Sequence, residues 1–300
     1  MQLFKRIFLF LLTNILVVVT IGIAWTLISY FFGLDRVSNS MVSLLIYCSL
    51  LGFGGAFISL LLSKFMAKWM TGAKVIDPNT NDPTLRHLVN RIHEMARRSG
   101  LPRPPEVAIY ESEDVNAFAT GPTRGSALVA VSTGLLRSMS EDEVDGVLGH
   151  EIGHIANGDM VTLTLITGIV NTFAFFFSRV LAGLIAGQVD EKVRPIVRFV
   201  VTIIGDLMFT LLGSIAVNYF SRRREFRADL AGATYSGKQN MIGALRRLQT
   251  LYAVPAGPSQ EKDMMATMKI SNRKNQGILS LFKTHPDLED RIQALQSAKI

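Results

Sequence analysis

The stretch GVLGHEIGHIANGDM, residues 146–160, sets two of the chain's five histidines four residues apart and places Glu151 directly after the first. Four residues make about one helical turn, so His150 and His154 project from one face and can share a small ion, with Glu151 beside them. Two neutral imidazoles at this spacing suit zinc, and the adjacent carboxylate can take a proton from water. The run that follows, VTLTLITGIVNTFAFFFS at residues 161–178, carries no charge and is apolar enough for lipid. Val161 comes seven residues after His154, roughly 10 Å along a helix. A hydrolytic metal centre thus stands next to a membrane segment.

Composition points the same way. Hydrophobic residues make up 49% of the 300 and charged residues 18%, too apolar for an ordinary soluble domain. Residues 7–32 and 41–62 contain no charged side chain, and each run can cross the hydrocarbon core as a helix. The first run is too long for a signal-peptide core and lacks a small-residue cleavage site. Two later runs, 161–188 and 195–220, contain Arg179, Arg198 and Asp206. They read either as spans lining a polar interior or as partly re-entrant segments, and four spans is the expectation.

Lys5 and Arg6, then Lys64, Lys68 and Lys74, flank the first two runs, while their connector 34–40 carries only Asp35 and Arg36. The connector at 189–194 is balanced, and Arg222, Arg223, Arg224 and Arg227 follow the last run. The positive-inside rule therefore predicts cytoplasmic termini and polar parts. The same pattern accounts for the net charge of +7 without a nucleic-acid partner. Cys48, the single cysteine, lies inside the second run and reads as a packed thiol.

Between the runs the sequence becomes polar and mixed. Leu85, Leu88, Val89, Ile92 and Met95 share one face of an amphipathic helix that stops at Gly100. EVAIY (106–110), NAFATG (116–121) and ALVAVST (127–133) predict a small β-sheet, and ALVAVST reads equally as a core strand or as an edge that receives extended substrate. SEDE, residues 140–143, is a capping box and starts the helix that carries both histidines. Helical patterning resumes to Tyr252, residues 253–277 read as a long loop, and THPDLEDRIQAL (284–295) returns to helix.

A catalytic zinc needs three protein ligands and an open position. The best third ligand lies in SRRREFRADLAGA, residues 221–233, where Glu225 and Asp229 stand one turn apart. Glu225 would bind metal while Asp229 accepts the second ring N–H of a ligand histidine. The competing reading is a helical salt bridge to Arg222 or Arg224.

GHEIGHIANGD, SRRREFRADLAG, NAFATG, ALVAVSTGLL and the closing THPDLEDRI, with four hydrophobic runs in this order, resemble the HtpX family of membrane metalloproteases, bacterial relatives of the CAAX prenyl proteases. The resemblance covers essentially the whole chain. It implies one Zn2+ per chain on His150, His154 and Glu225, with Glu151 as base. Together with the patterning it predicts a mainly α integral membrane protein with about four transmembrane helices and a cytoplasmic, zincin-like metalloprotease domain carrying a small β-sheet. The expected division is 1–64 and 161–220 as transmembrane hairpins, with 65–160 and 221–300 as the two parts of the protease domain.

The family further implies a stress-response endopeptidase of the bacterial inner membrane that cuts damaged membrane proteins from the cytoplasmic side. Its partners would be polypeptide substrates and the lipid bilayer. Analogy with other zincins places Asp229 behind His150. His285 and Arg291 are candidates to stabilise the oxyanion of peptide hydrolysis; the alternative is a plain C-terminal helix with Arg291 paired to Asp287. A prenyl-protein peptidase, an idle zinc-bound scaffold and a transporter are the competing functions. Glu151 argues against the scaffold, because a structural site has no use for a base.

Overall fold

The computed structural model describes residues 40–253 and 285–299, together with 22–23, 25–27 and 30–31. Chain contacts divide it into two compact units, one of Met1–Leu62 and Val161–Tyr219, the other of Ser63–Met160 and Phe220–Ile300. The described elements are helix α1 (Met41–Thr71), β1 (Lys74–Val75), α2 (Pro83–Arg98), β2 (Glu106–Tyr110), β3 (Ala117–Thr123), β4 (Ser126–Ser132), α3 (Thr133–Ser138), α4 (Glu141–Asn157), α5 (Asp159–Ala186), α6 (Arg194–Ser236), α7 (Lys238–Ala253) and α8 (Leu288–Ser297). The first expected span, 7–32, lies outside the described residues but for scattered positions, and the expected loop 253–277 lies outside them beyond Ala253.

In the first unit, α1, α5 and α6 are each long and apolar enough to cross a membrane. Helices α5 and α6 run unbroken over 28 and 43 residues, so neither run turns back on itself. Ile196, Phe199, Ile203, Leu207 and Leu211 recur at helical spacing along α6 and are all exposed, a stripe that calls for lipid rather than water. Helices α1 and α5 meet at Gly52, where a Cβ would lie 2.6 Å from the Thr172 backbone nitrogen. Two of the three charges inside the later runs solve each other's problem: Arg179 donates to Asp206 at 2.7 Å and sits over the Phe175 ring.

The second unit builds a four-stranded sheet in the order β1-β2-β4-β3, with β2 and β4 parallel and the other pairs antiparallel. ALVAVST is therefore a central strand, hydrogen-bonded on both sides, which rules it out as a docking edge. Among the described residues nothing pairs with the outer side of β3. Leu88, Val89, Ile92 and Met95 of α2 pack with Val129 and Val131 of β4 and with Leu148, Ile152 and Ile155 of α4 in one buried core. Each face follows from its period, 3.6 in the helices and 2 in the strand.

Helix α4 begins as its sequence dictates. The Ser140 hydroxyl accepts from the Glu143 N–H, and the Glu143 carboxylate accepts from the Ser140 N–H at 2.8 Å. It ends at Gly158, whose φ of 68° is a left-handed stop. Its back is a row of glycines that admit close neighbours: a Cβ on Gly146 would meet the Asn240 carbonyl oxygen at 2.4 Å, one on Gly149 that of Gly232 at 2.9 Å, and one on Gly153 that of Ala228 at 2.9 Å. Helices α6 and α7 thereby approach α4 almost backbone to backbone. Gly153→Ala gains about 1 kcal/mol of helix propensity but overpacks this contact at a cost of about 1–3 kcal/mol and pushes α6 away. Lower metal content and a lower thermal midpoint are expected from it, whereas Gly183→Ala, which meets nothing within 4 Å, should change neither.

Candidate active site

Helix α4 presents His150, Glu151 and His154, and α6, held close by the glycine row, presents Glu225 and Asp229. The two imidazoles stand edge to face, ring centroids 4.5 Å apart, with their Nε2 atoms 3.0 Å from each other. Glu225 completes the cluster: Oε2 lies 3.6 Å from His150 Nε2 and Oε1 lies 3.4 Å from His154 Nε2. Behind the rings, His150 Nδ1 is 2.8 Å from Asp229 Oδ1 and His154 Nδ1 is 2.6 Å from Asp159 Oδ2. Ionised carboxylates only accept, so each Nδ1 carries the proton and each neutral imidazole turns an Nε2 lone pair inward. Two nitrogens and one carboxylate converge within 4.8 Å of one another.

The neutral form is the one a bound cation selects; without a cation, electrostatics favour a further proton on His150. Burial opposes the imidazolium of His150, yet the carboxylates of Asp229 and Glu225 outweigh it and push its pKa up to about 9. Burial likewise opposes the charge on Glu225, but the rings of His150, His154 and His285 close around its carboxyl and hold it far below the usual range. Arg291, 6% exposed, grips Asp229 with both arms of its fork, Nε to Oδ2 at 2.7 Å and Nη2 to Oδ1 at 2.6 Å. The pairing overcomes burial and keeps both groups charged.

The fit to a metal ion rests on one atom. Glu225 Oε1 is buried and has no hydrogen-bond partner, although it faces His154 Nε2 at 3.4 Å and the Arg224 Nε at 3.7 Å, an ion pair too long to be a hydrogen bond. Buried acceptors are rarely left unmet, and a cation between Glu225 and the two Nε2 atoms would satisfy this one. The cluster opens into a cavity of about 450 Å³ lined by Glu151, His285, Arg224 and the stretch Val115–Ala119 that leads into β3.

The structure thus brings His150, His154, Glu225, Asp229, His285 and Arg291 to one place, with Glu151 on the cavity wall. It divides the C-terminal pair, however. His285 Nδ1 lies 2.9 Å from Glu225 Oε2 at the cavity, whereas the Arg291 guanidinium is engaged by Asp229 and comes no nearer to Glu225 than 3.6 Å. Asp159 escaped the sequence reading; the only signal was an acid right after the glycine that stops α4.

Residues 84–299 match the profile of peptidase family M48. The chain belongs to peptidase family M48. Among its relatives are the protease HtpX homologs of Bacillus licheniformis, 46% identical over 98% of this chain and 99% of that protein, and of Nitrosomonas europaea, 47% identical with the same coverage. Protease HtpX of an Enterobacter species is 46% identical over 98% of both chains. The crystal structure of S. mikatae Ste24p superposes with a TM-score of 0.61 at 20% identity, covering 97% of this chain and 66% of that one, a likeness of fold alone. This M48 peptidase is a metalloprotease with membrane-crossing helices.

Removing Arg291 would strand a buried carboxylate. Arg291→Ala is expected to destabilise the chain by about 3–5 kcal/mol in denaturant unfolding. Asp229→Asn combined with Arg291→Leu should lose clearly less than the two single variants added together, because the charges compensate each other.

Proposed function

We propose that this M48 metalloprotease is a zinc endopeptidase that cleaves misfolded or damaged membrane proteins from the cytoplasmic side of the bacterial inner membrane. His150, His154 and Glu225 hold one Zn2+. The observation that carries this reading is the convergence of Glu225, whose Oε1 has no hydrogen bond, with the Nε2 atoms of His150 and His154. When bound, zinc supplies Lewis acidity, polarising a peptide carbonyl and acidifying water.

The chain's own residues perform the rest. Glu151, one residue after the first ligand, accepts a proton from the attacking water and returns it to the leaving amine. Asp229 holds His150 in register and Arg291 holds Asp229, so Arg291 acts through the ligand rather than on the substrate. His285, 36% exposed at its side chain, stands on the cavity wall and turns its Nδ1–H from Glu225 to the developing oxyanion. Substrate backbone adds to the outer edge of β3, whose first residues line the cavity.

Orientation and substrate class follow from the chain pattern. Basic residues cluster at the ends of the apolar runs that lead into the protease segments, which assigns those segments to the cytoplasm. Glu225 lies on the same continuous helix as an apolar run, so polypeptide leaving a bilayer is the natural substrate.

Glu151→Gln is expected to keep zinc and lose peptide cleavage; unchanged cleavage would sink the mechanism. Cleavage by the unaltered chain should vanish with a chelator and return with added zinc. His285→Ala should lower kcat by about 10²–10³-fold with zinc retained, while Arg291→Ala should shed zinc. For orientation, single cysteines placed in 34–40 or 189–194 of a Cys48→Ala chain should react with a membrane-impermeant reagent from outside, and one at Lys262 should not.

A further inference from the structure

His154 has a carboxylate behind it that belongs to neither ligand-bearing segment. Asp159 Oδ2 lies 2.6 Å from His154 Nδ1, and the residue is 3% exposed. Local chain geometry explains the contact. Helix α4 stops at Gly158, whose N–H is held by the carbonyls of His154 and Ile155 and whose φ of 68° strains any residue with a Cβ. The left-handed residue breaks α4 there, and Asp159, the opening residue of α5, contacts a side chain in the last turn of α4. A carboxylate this deeply buried is costly unless paired, and the His154 ring N–H is the partner it meets. The start of α5 also favours its negative charge through the helix dipole.

We propose that Asp159 is a positioning residue of the metal centre. It fixes His154 in the tautomer that carries hydrogen on Nδ1, so that Nε2 faces His150 and Glu225 as a lone pair. The inference rests on the metal reading above. Each ligand histidine then has its own carboxylate, and the two are secured differently: Asp229 by the fork of Arg291, Asp159 by the turn at Gly158. An imidazole with a carboxylate behind it is also the more basic ligand.

The test uses the full chain in detergent, stripped of metal and titrated with Zn2+ against a competing chelator. Asp159→Ala is expected to bind zinc about 10–100-fold more weakly, with activity recovering as zinc is raised. Asp159→Asn keeps an acceptor at the start of α5 but loses the charge. Its metal-free thermal stability should match that of the unaltered chain, its zinc affinity should fall, and its Co2+ form should show shifted visible absorption. Zinc affinities within about twofold of the unaltered chain in both variants would overturn the proposal and leave Asp159 as a helix-start residue only. If Asp159→Ala loses zinc only in step with a loss of metal-free stability while Asp159→Asn binds normally, the role is structural and the proposal again fails. Should the unaltered chain take up no zinc, or Glu225→Ala take it up unchanged, the ligand assignment itself falls and this inference with it.

Discussion

Glu225 holds a negative charge at 1% exposure, and much of the surrounding arrangement answers to that fact. An isolated carboxylate in such a place would take up a proton rather than stay ionised. Here it is met by His150 and His154 from α4 and by His285 from the segment before α8. Arg291 contributes at longer range and through Asp229. Those groups come from three separate stretches of the chain, so the site closes only once the second unit has folded. One oxygen of Glu225 is still left without a hydrogen bond, with Arg224 Nε at 3.7 Å, and a divalent cation between it and the imidazoles would answer that demand.

Such convergence requires two helix backbones to come very close. Gly146, Gly149 and Gly153 clear one side of α4, and small residues of α6 such as Ala228, Ala231 and Gly232 fill the space against it. Larger residues in that row would hold the carboxylates of α6 away from the imidazoles. The glycines lower helix propensity, a cost carried by the capping box at Ser140 and by the apolar core around Leu148 and Ile152. Stability spent on the interface is in this sense what sets the ligand geometry.

Helix α6 is continuous from an apolar run into residues of the site. One helix of 43 residues contains both a membrane-length apolar stretch and the pair Glu225 and Asp229, with no break between them. Helix α5 likewise opens on Asp159, which touches a ligand histidine, and then becomes apolar. Residues of the site therefore lie on helices that also carry membrane-length apolar stretches. Inside the first unit, the Arg179–Asp206 pair ties α5 to α6 directly.

What the sequence determined by itself was everything decided within a turn or two of helix or by a run of like residues. The four-residue spacing of His150 and His154, that of Glu225 and Asp229, the capping box at Ser140 and the uncharged runs are local patterns, and the periods of helix and strand read them out directly. Tertiary structure decided which distant groups met. EVAIY, NAFATG and ALVAVST were recognisable as strands, yet nothing local announces that the last inserts between the other two, leaving β3 rather than β4 at the edge. Arg291 could pair within its own helix as far as spacing tells; it turns instead to Asp229, 62 residues away, because packing buries both and a buried charge must find its opposite. Even Asp159, five residues from His154, meets it across a left-handed turn at Gly158, and pairing of that kind is a property of the folded chain rather than of any window of its sequence.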